Sequence, residues 1–95
     1  MILVKIHQSG TSRVISICDS DLIGKKFSKD NRQLDVIERF YKGEEMSKDK
    51  ILSLASTCNS LNIVGGESIQ FALKNKIIEK SSIIIIQGIP NAQVL

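Results

Sequence analysis

Aromatic side chains are scarce in this chain: there is no tryptophan, and only Phe27, Phe40, Tyr41 and Phe71 carry aromatic rings. An extended base-stacking platform, as in single-strand binding domains, has too few rings to be built. The core must be aliphatic, and isoleucine dominates it. Cys18 and Cys58 belong to no close Cys-x-x-Cys or Cys-x-x-His pair, and His7 is the one histidine. No metal site is therefore expected. Neither a GxGxxG fingerprint nor a P-loop lysine is present, so no cofactor is expected. No apolar run reaches membrane-spanning length, and Lys5 and His7 interrupt the apolar N-terminus. Neither a signal peptide nor a membrane partner is expected, and the cysteines read as reduced thiols of a cytoplasmic protein.

What is present fits one small domain covering residues 1–95, with an ordinary hydrophobic content of 42%. The net charge of +3 is mild but segregated. Lys25, Lys26, Lys29, Arg32, Arg39 and Lys42 lie in one segment with only Asp30, Asp35 and Glu38, while the rest of the chain balances. Such a face can meet RNA phosphates, or it can be a solvated surface.

Along the chain, Ile2, Val4 and Ile6 alternate with Leu3, Lys5 and His7, which predicts a strand. Gln8-Ser9-Gly10-Thr11 predicts a turn, and Arg13–Cys18 a second strand completing a hairpin. Asp19 to Gly24 reads as one helical turn capped by Asp19. Phe27 starts a short strand, and after the turn at Lys29 to Arg32 a further strand runs through about Tyr41, ended by Gly43. Ser47 is the N-cap of a helix with Ile51, Leu54, Ala55 and Cys58 on one face, and Met46–Ile51 is a hydrophobic staple. Asn59 to Asn62 ends that helix. A second helix starts at Gly65, with Val64–Ile69 as its staple and Asn75 in a left-handed C-terminal conformation. Ile83 to Ile86 reads as a central strand buried on both faces, with Ile85→Ala expected to be costly. The fold class is α+β, in the order β-β-β-β-α-α-β with a short extra C-terminal strand, and the two helices pack on a mostly antiparallel or mixed sheet.

Three stretches carry chemistry. Asn62-Ile63-Val64-Gly65-Gly66-Glu67 places two glycines at a helix start, where uncovered N–H groups favour an anion; the plainer reading is a tight turn. Gly88-Ile89-Pro90-Asn91-Ala92-Gln93 follows a buried strand, and Asn91 and Gln93 offer amides suited to recognition rather than proton transfer. Its plainer reading is a turn into a last strand. Cys18-Asp19 with His7 suggests thiol chemistry, but a buried structural cysteine explains the first residue and a cap the second.

CDSDLIGKKF (Cys18 to Phe27), ERFYKGE (Glu38 to Glu44), NIVGGESI (Asn62 to Ile69) and QGIPNAQV (Gln87 to Val94) occur in this order. Together they resemble an archaeal family catalogued as domain of unknown function 424, nearly end to end. The matching residues are Cys18, Asp19, Gly24, Tyr41, Gly43, Asn62, Val64, Gly65, Gly88, Pro90, Ala92 and Gln93. The family's last motif usually reads G-[IV]-P-H-A-Q, and here Asn91 stands in the histidine's place. The resemblance implies an archaeal cytosolic protein and points toward the information-processing machinery. The departure at Asn91 removes an acid–base or metal-binding group and weakens an enzymatic reading.

The function expected first is a non-catalytic module binding RNA or a translation-related ribonucleoprotein. Lys25, Lys26, Lys29 and Arg32 would share one exposed face for phosphates, and Asn62, Gly65, Gly66, Pro90, Asn91 and Gln93 would supply specificity. Asn62, Gly65, Pro90 and Gln93 are expected to converge in space. The alternatives are a protein or enzyme binding a small anionic ligand at Gly65-Gly66, and an assembly protein joined through a strand edge or the C-terminus.

Overall fold

The computed structural model describes residues 1–95. Strands β1 (Ile2–Ser9) and β2 (Ser12–Asp19) form the antiparallel hairpin that the alternation predicts, in register from Ile2↔Asp19 to Ser9↔Ser12. A single 3-10 turn at Ser20–Leu22 leads into a separate two-stranded ribbon, β3 (Lys26–Lys29) and β4 (Arg32–Asp35). Next come α1 (Glu38–Tyr41), α2 (Lys48–Thr57), β5 (Ser60–Val64), α3 (Gly66–Lys74), β6 (Ile84–Ile86) and β7 (Ile89–Val94). The main sheet has the order β1-β2-β5-β7-β6. Only β2 and β5 run parallel, as the long crossover through the ribbon, α1 and α2 allows.

Strand alternation splits the interior into two layers. Val4, Ile15, Ile17, Leu61, Ile63 and Ala92 meet Ile51 of α2 and Ile69 and Ala72 of α3. On the opposite face Cys18, Val64 and Ile86 meet Leu22, Leu34, Val36 and Tyr41. The sheet is thus sandwiched between two helices and the ribbon, and β2 and β5 are covered on both faces. In α2, Ser47 caps as expected, its Oγ accepting from Lys50 N at 3.2 Å, and Met46 and Ile51 pack in the same layer. No helix is long and apolar enough to cross a membrane.

Several expectations are corrected. Ile84–Ile86 is an edge strand paired only with β7, and Ile84 and Ile85 are 40% and 59% exposed. The central place belongs to β5, whose first three residues, Ser60 to Asn62, read as part of a helix end because Asn62 interrupts the apolar pattern. The strand expected to reach Tyr41 stops at Asp35, and Glu38–Tyr41 is a helical turn. Val64 and Ile69 lie in opposite layers, so they form no staple. The left-handed residue after α3 is Lys76, at φ 58°, whereas Asn75 has φ −96° and donates from its side chain to Phe71 O. Gly43 does more than end a strand. A Cβ there would lie 2.0 Å from Val4 O, so glycine is what allows the bridge between Val4 and Glu44.

Candidate functional site

The helix start at Gly65-Gly66 already holds an anion, and it is the protein's own. Asp19 makes no cap bond to the 3-10 turn beside it. Its carboxylate instead accepts from Glu67 N at 3.0 Å, from Ser68 N at 2.8 Å and from Ser68 Oγ at 2.6 Å. The two backbone groups are orphan donors of the first turn of α3. Of the N–H groups expected to be uncovered, those of Gly65, Glu67 and Ser68 are therefore taken, the first by Pro90 O, and the anionic-ligand reading of Gly65 and Gly66 loses most of its basis. The sequence hid this because 48 residues separate Asp19 from Glu67.

The four residues expected to converge are neighbours, Asn62 on β5, Gly65 at the start of α3, and Pro90 and Gln93 on β7, but they divide between the two faces. Gly65 N donates to Pro90 O at 2.9 Å, and Asn62 is the register partner of Gln93. Pro90 faces α3, lining a groove with Ile69, Leu73 and Ile85. Asn62 and Gln93 open on the other face. Asn91 shares that face, but its Nδ2 donates to Ile84 O at 3.0 Å, which ties β7 to the edge strand.

On the face of Asn62, one row of polar residues crosses four strands in register: Lys5, Ser16, Asn62 and Gln93. A polar row through an otherwise aliphatic sheet needs partners, and α1 supplies them. Phe40 O accepts from the buried Ser16 Oγ at 3.0 Å and from His7 Nε2 at 2.9 Å. Lys5 Nζ donates to Arg39 O. A carbonyl can only accept, so the His7 ring carries its proton on Nε2, leaving Nδ1 as an acceptor in the neutral ring. His7 also stacks on Phe40, with centroids 4.3 Å apart and planes at 11°, and Tyr41 meets Phe40 edge-on at 4.9 Å.

Asn62 and Gln93 continue the row into an open cavity of about 570 Å³, walled by His7, Phe40 and Tyr41 and by Asp35, Ile37 and Arg39. The two ion pairs of the molecule are Met1 with Glu67 and Lys42 with Glu38, so neither Asp35 nor Arg39 is neutralised by a partner. The cavity therefore combines an acceptor-only group, a donor-only group and two amides that can do either. His7, Asp35, Arg39 and Phe40 were missed as site residues from sequence. The only signal for His7 was that it shares the polar face of β1 with Lys5.

Lys25, Lys26, Lys29 and Arg32 are all exposed, but they do not share one face. The ribbon pairs Lys26 with Asp35 and Lys29 with Arg32, so alternation puts Lys26 on the side opposite Lys29 and Arg32. Lys26 lies across from Asp35, which is part of the cavity wall; Lys29 and Arg32 stand at the ribbon tip.

Thiol catalysis does not fit this geometry. Cys18 is fully buried, and burial first, then Asp19 and Asp21, pushes its thiol up to about 12. Its folded value lies above the unfolded one, so its contribution to stability is complete below about pH 9 and is lost between about 9 and about 12. Burial also raises Cys58. In a thiol-reagent assay at pH 8, the half-buried Cys58 should label first, and Cys18 only as fast as the protein unfolds. Equal, rapid labelling of both would contradict the burial of Cys18.

No curated protein matches this chain. A crystal structure of an uncharacterized conserved protein from Methanopyrus kandleri is similar in fold, with a TM-score of 0.76, 24% identity, and coverage of 98% of this chain and 89% of that one. The family model described as "Protein of unknown function (DUF424)" matches residues 6–95, and with nearly the whole length matched, the chain belongs to that family.

Proposed function

We propose that this protein is a non-catalytic binding module of the cytoplasm that takes single-stranded RNA, alone or within a translation-related ribonucleoprotein. The observation that carries this reading is the in-register row ending in the Asn62 and Gln93 amides, which opens into a ring-walled cavity beside a basic ribbon. Sequence-specific RNA recognition works on splayed bases, which are hydrogen-bonded along their edges and stacked on rings. Side-chain amides match both the donors and the acceptors of such an edge. The few aromatics suffice for one base, because His7, Phe40 and Tyr41 gather at one place. Lys25 and Lys26, at the end of the ribbon that also carries Asp35, supply the phosphate contacts.

Fluorescence anisotropy with labelled single-stranded RNA across a salt series tests the reading. Reversing Lys25 and Lys26 to glutamate should weaken binding and reduce the log–log salt slope by roughly 1.4, as loss of two phosphate contacts to a single strand does. Asn62→Ala and Gln93→Ala should weaken binding with the slope unchanged. Absence of binding by the unaltered protein at low salt would end the proposal, as would a lysate pull-down whose partners are indifferent to ribonuclease.

The exposed edge strand β6 favours a second reading, self-association along that edge. Light scattering at rising concentration should then show a growing mass that Ile85→Lys abolishes; a monomer at every concentration would remove it.

A further inference from the structure

We infer that the cavity selects guanine among the four bases, and that Asp35 is the residue that makes the selection. This rests on the single-stranded RNA reading above and adds the identity of the base. Asp35 ends β4, is exposed, and forms neither of the molecule's two ion pairs. A carboxylate in the wall repels phosphate and any base edge made of acceptors, so the cavity takes the base and leaves the phosphate to the ribbon. An ionised carboxylate has two acceptor oxygens and suits two adjacent donors. Guanine alone among the bases presents such a pair on its Watson–Crick edge, N1–H beside the N2 amine. Adenine and cytosine offer one amine next to a ring acceptor, and uracil offers one N–H between two carbonyls.

The rest of the cavity complements guanine's other atoms. Arg39 is a donor-only group, and guanine's O6 and N7 are adjacent acceptors. Asn62 and Gln93, side by side on β5 and β7, can turn either amide end toward the remaining positions. Lys26, opposite Asp35 on the ribbon, places a cation where the strand leaves the cavity.

The test uses the full chain and four labelled oligouridines, each with one central residue varied to G, A, C or U, titrated against the unaltered protein and Asp35→Asn. The oligonucleotide with guanine should bind on the order of tenfold more tightly than the others, the discrimination a good bidentate contact gives. Asp35→Asn should abolish that preference, because guanine loses its paired acceptor while the repulsion that disfavours the other bases and the phosphate is relieved. Circular dichroism should show the variant folded, because the side chain is exposed. Equal binding of all four by the unaltered protein overturns the guanine assignment but leaves RNA binding standing. Full guanine preference in Asp35→Asn overturns the role of Asp35. Binding of none overturns both the assignment and the reading beneath it.

Discussion

Gly65→Ala is expected to destabilise the protein by roughly 3–5 kcal/mol, from backbone strain together with lost buried hydrogen bonds. Gly65 has φ 107° and ψ 154°, a region open in practice only to glycine. Space is also lacking: a Cβ would lie 2.3 Å from Asp19 Cγ and 2.4 Å from its Oδ2. Neither atom can retreat cheaply, since the carboxylate holds Glu67 N, Ser68 N and Ser68 Oγ, and Ser68 is itself fully buried. Pushing Asp19 away leaves the first turn of α3 without its acceptor and strands a carboxylate below the surface. A glycine-to-valine change here, attractive as a probe of an anion site with the core intact, would strike the fold itself. The denaturation midpoint in urea measures the effect, and a loss below about 1 kcal/mol would show that Asp19 can leave the helix start freely.

Ile63→Ala should cost about 3–5 kcal/mol, near the top of the range for deletions in close-packed cores. Ile63 lies on the central strand and has no exposed surface. It packs in one layer with Ile17, Ala92 and the inner faces of α2 and α3, so the cavity left behind cannot collapse. Ile85→Ala, on the edge strand and 59% exposed, should cost less than about 1 kcal/mol, because most of that side chain already meets water. The contrast is the decisive measurement. Equal losses at the two positions would mean that β6 is covered in solution, which would transfer weight to self-association along that edge.

Much of the local structure was legible in the sequence. The β1–β2 hairpin follows from a two-residue alternation and a glycine turn, and the start of α2 from Ser47 and the spacing Ile51, Leu54, Ala55 and Cys58. The nearness of Asn62 and Gly65 to Pro90 and Gln93 was also anticipated, since helix starts and strand ends meet at one edge of an α/β layer, but their division between two faces was not. The sequence misled where hydropathy stood in for position. Four consecutive isoleucines, expected at the centre of the sheet, lie at its edge, and the centre is held by Ser60-Leu61-Asn62-Ile63-Val64, whose first residues read as a helix end.

The sequence by itself determined which residues alternate, that Ser47 caps α2, where the β1–β2 hairpin turns and that the core is aliphatic. Each of these rests on periods, caps and turns that span a few residues. Only the tertiary structure decided strand order, which face Asn62 and Pro90 take, and what fills the helix start at Gly65. It alone brought His7 against Phe40, 33 residues away, and Asp19 against Ser68, 49 residues away. The physical reason is that a strand's pattern states which side is buried but not which strand lies beside it. A polar side chain such as Asp19 or His7 likewise carries no mark of the distant donor or acceptor that will satisfy it.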